Sequence, residues 1–363
     1  MKKIYILLII VIFLFSCFQK KYKLGLITNL EGPNSAAAIE AVNSVKLCYQ
    51  VYKENTKNPI DLEIITLDDS WNPEKTKKAY SIMKENSNII IFGSTSEVFM
   101  SVYNDVIKDD KILGFIVAGI SEISNVDDNI IRTIMDTEKE QKSIANFLIK
   151  RNPKKILIIQ ENERNEKYTE QSLKNFLTYY NKDYDIVKFS ANVLDLKEIV
   201  EKVKNNKYQY AYFVAGGTPR EVAIVIQNIR KIDEDIICLT LPWVSDKVML
   251  SSLGEKQNNI ITTSVYILDE TNSKYVKFVN DFKEKVGGDK SPSTLSAIVY
   301  DQTSILIETF SKIKTDNAKK VKKYILANEF EGVTGKIKFN KFGDCERDLY
   351  FFEIKNGEKK LIN

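Results

Sequence analysis

Strand-like and helix-like segments alternate along most of this 363-residue chain, and this order restricts the fold more than any other feature of the sequence. The segment "YKLGLIT" (22–28) predicts a buried strand, a helical pattern follows over 36–55, and "IDLEIITLDD" (60–69) predicts a second strand. Asn72 and Pro73 then mark the cap and the first turn of the next helix. Strands that alternate with helices in this way form parallel sheets with helices on both faces.

The alternation continues through the rest of the chain. We predict further strands over 89–92, 112–117, 130–134, 155–160, 184–189, 210–215 and 236–240. We predict further helices over 73–86, 96–107, 138–150, 169–180, 195–205, 219–231, 273–285, 293–313 and 317–327, followed by a hairpin that turns at 341–343. Because a chain of this length exceeds one ordinary hydrophobic core, we expect two sheets in two lobes.

The first 17 residues predict export and attachment to a membrane. Two lysines precede an unbroken apolar run from Ile4 to Phe15, which is the pattern of a signal peptide over residues 1–16. The run is shorter than the roughly 20 apolar residues that cross a bilayer, so a permanent transmembrane helix is the weaker alternative. The tetrapeptide "LFSC" (14–17) resembles a bacterial lipobox and predicts that Cys17 carries a lipid. A buried structural cysteine is the alternative for Cys17.

The charge and two residue types exclude several classes of function. Removal of the two lysines in the signal peptide lowers the net charge from +4 to +2, and the remaining charges are mixed along the chain, so no nucleic-acid partner is expected. The chain has no histidine, which excludes Ser-His-Asp and Cys-His catalysis and histidine-ligated zinc. Cys48, Cys238 and Cys345 are widely spaced and odd in number, so we predict no disulfide framework, metal site or cofactor.

Five loops follow predicted strands where open parallel sheets bind their ligands, because loops and helix N-termini converge at the carboxyl ends of the strands. They are "GSTSE" (93–97), "AGIS" (118–121), "ENERNE" (161–166), "AGGTPRE" (215–221) and "LPWVSD" (241–246). For each loop the alternative is an ordinary helix cap or strand-end turn. We expect the functional site among these loops.

Enzyme motifs are not matched. Gly335 and Lys336 lack the earlier glycine and the following Ser or Thr of a Walker loop, and no G-x-G-x-x-G follows the first strand. In "GSTSE", Glu97 replaces the second glycine of a nucleophile elbow. Asp68 and Asp69 are neighbours on a strand and point to opposite faces, which predicts a strand end rather than an acid/base pair. We therefore do not expect an enzyme.

Seven segments, taken in order, carry a resemblance to a known family. They are "LGLITNLEGPNS" (24–35), "LDDSWNPEKT" (67–76), "IIIFGSTS" (89–96), "NIIRTIMDT" (129–137), "AGGTPREVAIVIQNIRK" (215–231), "YDQTSIL" (300–306) and "FEGVTGKIKFNKFGD" (330–344). The ordered set resembles the type I periplasmic substrate-binding proteins, specifically the branched-chain amino acid (Leu/Ile/Val) receptors of ABC transporters. The similarity covers nearly the whole chain after the signal peptide.

The resemblance implies an α/β fold of two lobes, each a parallel sheet with helices on both faces. Three crossovers would join the lobes, near 133–137, 262–266 and 332–335. Lobe one would consist of 21–135 with 266–331, and lobe two of 136–265 with 332–363. The two lobes would close on a ligand.

The resemblance also implies where a ligand carboxylate is held. Ser96 and Ser121 match two positions at which hydroxyl and backbone N–H groups receive that carboxylate, and Thr95 lies in the first of these loops. Strict counting from Gly93 places Glu97 instead of Ser96 at the first position. These residues are the predicted rim of the cleft.

Other family positions carry different residues here. Asn165 and Thr218 fall where amino-acid receptors have tyrosines, and Trp243 falls where they have the carboxylate that receives the ligand's ammonium group. Asp246, three residues later, would have to reach back to replace that carboxylate. The scaffold is therefore retained, whereas an amino-acid site is not evident.

Two functions follow as hypotheses. The first is a lipid-anchored extracytoplasmic receptor, in the periplasm or on the surface of a bacterium, that captures a small polar ligand for an ABC permease. The second is an envelope lipoprotein that uses the same clamp to bind a protein or cell-wall partner without a role in transport. Adjacent permease and ATPase genes would favour the first hypothesis.

Overall fold

The structure is a computed structural model that describes residues 20–31, 35–163, 166–244, 247–254, 257–267, 272–287, 292–355 and 358–362. The predicted signal peptide, Cys17, Asn165 and Asp246 lie outside these ranges. Within them, no helix has the length and apolar character needed to cross a membrane.

The described residues form fourteen strands and eleven α-helices. The strands are β1 (Lys21–Thr28), β2 (Asp61–Asp68), β3 (Ile89–Gly93), β4 (Leu113–Ile116), β5 (Ile130–Arg132), β6 (Ile156–Asn162), β7 (Tyr184–Ser190), β8 (Tyr210–Val214), β9 (Ile237–Thr240), β10 (Ile260–Ser264), β11 (Phe330–Gly332), β12 (Gly335–Ile337), β13 (Tyr350–Lys355) and β14 (Glu358–Leu361). The helices are α1 (Ala36–Glu54), α2 (Pro73–Met83), α3 (Ser96–Lys108), α4 (Thr137–Arg151), α5 (Glu166–Tyr179), α6 (Lys197–Asn205), α7 (Pro219–Arg230), α8 (Lys247–Leu253), α9 (Ser273–Lys285), α10 (Thr294–Ile313) and α11 (Ala318–Leu326). A short 3₁₀ helix covers Ser121–Ile123.

The first sheet has five parallel strands in the order β2-β1-β3-β4-β5. Successive side chains of a strand point to opposite faces, so Leu26 lies in a hydrophobic cluster with α1, α10 and α11. Its neighbour Ile27 lies in a cluster with α2 and α3 on the other face. The Asn72 side chain accepts hydrogen bonds from the backbone N–H groups of Glu74 and Lys75, which confirms the predicted start of α2.

The second sheet has seven strands in the order β14-β13-β10-β9-β8-β6-β7. Strands β6 to β10 are parallel, with α4 and α5 on one face and α6, α7 and α8 on the other. Strands β13 and β14 add an antiparallel edge, which departs from the wholly parallel sheet that we expected. The Asn-Gly pair at 356–357 lies between them in sequence, and such a pair favours a tight hairpin. The two sheets with their helices confirm the predicted α/β fold.

Several short elements are absent from our prediction: β10, β11, β14, α8 and the 3₁₀ helix. The arms of the predicted hairpin at 341–343 also pair elsewhere, β12 with β11 and β13 with β10 and β14. Strand β10 consists of "IITTS", which we assigned to a crossover, and the seven-residue α8 lies in a segment that we left as a loop. Short elements give little periodicity, so a pattern of burial cannot be recognised over so few residues.

The segment after β12 stays with the first sheet. Phe339 and Cys345 belong to the same hydrophobic cluster as β1, and the Cys345 backbone N–H donates to the Arg132 carbonyl at 3.0 Å. We expected this segment in lobe two, beginning at residue 332. The contacts of Phe339 and Cys345 with the first sheet favour a third crossover between the lobes at 346–349, just before β13. The other lobe boundaries stay a prediction.

Helix α10 holds two of the predicted crossover segments in place. The buried Asp301 carboxylate accepts hydrogen bonds from the backbone N–H groups of Val333, at 2.7 Å, and Thr334, at 2.9 Å. The neighbouring Gln302 donates from Nε2 to the Thr133 hydroxyl at 2.7 Å. The segment "YDQTSIL" thus positions the chain at two of the predicted crossovers.

Candidate functional site

Loops that follow the strands of both sheets meet at a cavity of about 150 Å³. The first sheet contributes the loops after β2, β3 and β4 and the first turns of α1 and α10, and the second contributes α5 and the loops after β8 and β9. The lining residues are Ala37, Trp71, Thr95, Ser96, Val117, Gly119, Tyr168, Gly216, Gly217, Pro242, Trp243, Ser293, Thr294 and Leu295. We call this the aromatic cavity. No charged side chain is among these residues.

Both tryptophans of the chain, Trp71 and Trp243, lie in the wall of the aromatic cavity, together with Tyr168. Trp71 adopts a left-handed backbone conformation, with φ of 49°, and its N–H donates to Asp69 Oδ1 at 3.0 Å. The Trp71 indole N–H is buried and has no hydrogen-bond partner among the described residues. Each indole offers a large flat apolar face and one donor, which suits a planar portion of a ligand.

The two carboxylates after β2 support the loops rather than face the cavity. The buried Asp69 accepts hydrogen bonds from the Ser94 hydroxyl and from the Trp71 backbone. Asp68 accepts one from the Leu30 N–H at 2.7 Å. Burial raises the pKa of Asp69. These contacts agree with the interpretation of a strand end and do not form an acid/base pair.

The start of α3 places Thr95 and Ser96 in the wall of the aromatic cavity, as predicted. Thr95 is the N-cap residue, with φ −67° and ψ 162°, and its side chain makes no capping hydrogen bond. The first N–H groups of a helix have no partner within the helix and carry partial positive charge. Hydroxyl and N–H donors are therefore available here to a polar ligand. Their role in binding stays a prediction.

A second cavity of about 200 Å³ adjoins the first and shares Trp71, Thr95 and the backbone of 216–217 with it. It adds two carboxylates, Glu97 from α3 and Glu163 from the loop after β6. We call it the acidic cavity. The two carboxylates approach it from the two different sheets, and no lysine or arginine lines it among the described residues.

Ser121 lies beside the aromatic cavity and is not part of its wall. Its hydroxyl contacts the Thr137 hydroxyl at 2.5 Å and accepts a hydrogen bond from the Glu138 N–H at 3.0 Å. Its backbone N–H donates to the Gln171 side chain at 2.5 Å, and Asn175 donates to its hydroxyl at 3.2 Å. Ser121 thus joins the loop after β4 to α4 and α5, and the geometry gives no support to the predicted ligand contact.

Thr218 does not line the aromatic cavity, whose wall here is formed by Gly216 and Gly217, and its role in binding stays a prediction. The Thr218 hydroxyl is buried and has no hydrogen-bond partner among the described residues. Gly217 has φ of 95°, a conformation that glycine adopts without strain. This turn brings the backbone, rather than a side chain, to the cavity. Asn165 lies outside the described residues.

Tyr168 connects the aromatic cavity to a buried carboxyl group that the sequence did not reveal. Its hydroxyl donates to Glu140 Oε2 at 2.8 Å, and Gln141 donates to the same oxygen at 3.2 Å. Burial raises the pKa of Glu140 to about 7, although both hydrogen bonds favour its charged form. The sequence did carry one indication that Glu140 is buried, because the apolar periodicity of α4 places it next to buried positions.

The profile of the periplasmic binding protein family matches residues 21–359 of the chain. No curated protein sequence matches the chain significantly.

Solved structures with the same fold were found at low sequence identity. The branched-chain amino acid transporter substrate-binding protein LivJ of Streptococcus pneumoniae, in complex with isoleucine, superposes with a TM-score of 0.82 at 17% identity, covering 94% of this chain and 99% of LivJ. The leucine-binding protein LivK of Thermotoga maritima gives 0.80 at 17% identity, with 94% and 98% covered. A solute-binding protein from R. palustris in complex with benzoate gives 0.80 at 16% identity, with 94% and 96% covered. At these identities the likeness shows the fold alone.

Proposed function

Because this chain belongs to the periplasmic binding protein family, we propose that it is a lipid-anchored extracytoplasmic receptor that captures a small polar ligand for an ABC transporter. The observation that carries the proposal is the aromatic cavity, whose wall takes residues from both sheets. Membership in a family of solute-binding proteins also agrees with the expectation that the chain is not an enzyme. The anchor rests on the apolar run and on Cys17.

An unsatisfied polar atom in the wall of the aromatic cavity supports a ligand-binding role. Buried polar groups almost always have a partner, and an exception calls for an explanation. The Trp71 indole N–H is such an exception, and Trp71 lines both this cavity and the one beside it. A polar ligand or ordered water beside the indole would give this donor an acceptor.

A screen of solutes by thermal denaturation tests the proposal. Purified protein is unfolded and refolded to remove any copurified ligand, and each solute is then added in excess. A ligand at 100 times its dissociation constant stabilises the folded state by about 2.7 kcal/mol, so its midpoint of unfolding rises. The hit must also change the tryptophan fluorescence, because both tryptophans line the cavity. The proposal fails if no small solute produces both effects.

One observation favours the second hypothesis, an envelope lipoprotein with a macromolecular partner. The aromatic cavity, at about 150 Å³, is smaller than the roughly 300–1,000 Å³ of common ligand pockets, and it reaches that range only together with the adjoining cavity of about 200 Å³. Crosslinking in intact cells would then recover one envelope partner at the cleft, and the solute screen would stay negative.

A further inference from the structure

We propose that the ligand is an organic cation with a flat apolar portion and no carboxylate beside its cationic group. Its cationic group lies in the acidic cavity near Glu97 and Glu163, and its flat portion lies in the aromatic cavity against Trp71 and Trp243. The inference rests on the proposed function, since it names the class of solute for the same cleft.

The charges around the cleft point to a cation. Glu97 and Glu163 line the acidic cavity, and no lysine or arginine lines either cavity among the described residues. Two carboxylates without a cation repel each other and attract positive charge. The aromatic cavity contributes no compensating charge. A cationic solute would supply the counter-charge that the described lining residues do not supply.

The Glu163 carboxylate is held in position by its own lobe. Its Oε2 accepts a hydrogen bond from Asn192 Nδ2 at 3.0 Å and another from the Ser190 hydroxyl. The backbone of Glu163 adopts φ of 84°, a conformation that is uncommon for a residue with a side chain. Two polar partners and an unusual backbone fix the carboxylate before the ligand arrives, which lowers the entropic cost of binding.

The two cavities form one bipartite site, because Trp71 and Thr95 belong to the walls of both. A ligand that spans them passes the Trp71 indole. An ammonium or guanidinium group is attracted to the face of an indole ring. Aromatic rings and carboxylates therefore favour a positive charge on the ligand. Glu97, in the first turn of α3, offsets the partial positive charge of that helix N-terminus.

A carboxylate next to the cationic group would weaken binding. In a free amino acid the two groups share one carbon, so placing the ammonium between Glu97 and Glu163 brings a third carboxylate to the same place. Like charges at close range are unfavourable. A simple amine avoids this repulsion. The inference therefore separates amines from the amino acids that some proteins of this fold bind.

Three probes of matched shape test the inference: 2-phenylethylamine, phenylalanine and 3-phenylpropionate. They share a ring and a two-carbon chain and differ in whether they carry an ammonium, both charges or a carboxylate. We expect 2-phenylethylamine to bind about tenfold more tightly than either of the others, measured by calorimetry and tryptophan fluorescence near neutral pH. We also expect its affinity to fall as salt is raised.

Variants of Glu97 and Glu163 test whether these carboxylates hold the cationic group. Glu97→Gln and Glu163→Gln should each weaken 2-phenylethylamine binding about two- to fivefold, and the double variant about tenfold. Binding of 3-phenylpropionate should be unchanged or tighter. The matched control is Glu85→Gln with Glu122→Gln, which makes the same change in charge at exposed positions outside both cavities. The control should bind 2-phenylethylamine as the wild type does.

Three results would overturn the inference: no binding of 2-phenylethylamine at millimolar concentration, equal or tighter binding of 3-phenylpropionate, or equal losses in the double variant and its control. Circular dichroism and the midpoint of thermal unfolding show that each variant is folded. The proposed function fails separately, when no solute of any charge binds in the screen. A solute that binds but is anionic would retain the function and reject the inference.

Discussion

At the scale of the residue, Asp301 shows how one buried carboxylate fixes a segment of backbone. It accepts hydrogen bonds from the N–H groups of Val333 and Thr334 and from the Thr334 hydroxyl. Gly332, just before them, lies so close that a Cβ added there would overlap the carboxylate. The glycine is therefore required by close approach rather than by a special backbone angle.

Replacing Asp301 with alanine would leave two buried N–H groups without an acceptor. We expect Asp301→Ala to lower the free energy of unfolding by about 2–4 kcal/mol, measured by urea denaturation. The control is Asp110→Ala, which removes the exposed ion pair with Lys319 and should cost less than about 1 kcal/mol. Equal losses in the two variants would contradict the assigned role of Asp301.

Cys17 carries the prediction of a lipid anchor. We expect Cys17→Ala to remain soluble when cells are fractionated and to take up no labelled fatty acid, because two acyl chains are needed for stable anchoring. Cys238→Ala, at a buried free cysteine, should keep the label and the membrane association. Full membrane partitioning and labelling of Cys17→Ala would refute the anchor.

Sequence reasoning placed some cleft residues correctly and not others. Thr95, Ser96 and Trp243 lie in the wall as expected. They follow strands of parallel sheets, whose carboxyl ends lie at one edge of the sheet. Trp71 was not identified, although it occurs in the matching segment "LDDSWNPEKT". Its contact with the cavity depends on a left-handed turn that the residue pattern does not reveal.

At the scale of the element, the 3₁₀ helix Ser121–Ile123 ties the two sheets together. Its first residue bonds to the start of α4 and to side chains of α5. Gln171 accepts from the Ser121 N–H, and Asn175 donates to the Ser121 hydroxyl. This contact holds the loop after β4 against the second sheet and sets the spacing of the lobes beside the cavity.

We expect Ser121→Ala to lower the free energy of unfolding by about 1–2 kcal/mol, because the Glu138 N–H loses its acceptor and the Asn175 amide keeps only the Thr137 hydroxyl. Urea denaturation measures the change. Ser143→Ala is the control, since the Ser143 hydroxyl donates only to a carbonyl on the exposed part of α4, and it should change stability by less than about 0.5 kcal/mol. An unchanged stability with a loss of ligand affinity would restore the predicted ligand contact of Ser121.

Long, periodic elements were predicted well. Helix α3 was expected over 96–107 and covers Ser96–Lys108, and α9 was expected over 273–285 and covers those residues. The antiparallel pairing of β13 with β10 was not predicted, because strand partners far apart in sequence leave no local pattern. Periodicity reports which face of an element is buried and not which neighbour covers it.

At the scale of the whole molecule, burial of Glu140 makes stability depend on pH. The carboxyl has its pKa raised to about 7 from 4.5. The folded state therefore keeps this proton at pH values where the unfolded chain has lost it. As pH rises from about 4.5 to about 7, this group lowers the free energy of unfolding, by about 3 kcal/mol at most, and contributes no further change above that range.

We expect Glu140→Gln to remove this contribution, since an amide does not titrate and can still accept from the Tyr168 hydroxyl. The variant should gain stability relative to the wild type between about pH 5 and pH 8. Urea denaturation across this range gives the difference directly. Glu122→Gln, at an exposed position, should follow the wild-type curve. Parallel curves for Glu140→Gln and the wild type would contradict the raised pKa.

The cleft as a whole predicts that leucine, isoleucine and valine do not bind tightly. The wall of the aromatic cavity carries Trp243 and no carboxylate among its described residues, so an ammonium held there would pay a large desolvation cost. In the acidic cavity the ammonium would meet Glu97 and Glu163, but the amino acid's own carboxylate would lie beside them and be repelled. Micromolar binding corresponds to about 8.2 kcal/mol. Calorimetric titration of ligand-free protein should find dissociation constants weaker than micromolar for all three. Sub-micromolar binding of any one would show that the ammonium site has been placed wrongly.

The order in which the strands occur in the chain has a consequence for export. The second sheet closes its β10 edge only with β13 and β14, and the first sheet is covered on one face by α10 and α11. A polypeptide that crosses a membrane from its N-terminus therefore completes neither lobe until nearly its last residues have emerged. Until then β10 presents unpaired backbone groups, which are prone to pair with other chains. We therefore expect this edge to stay open to other chains until the last strands pair with it.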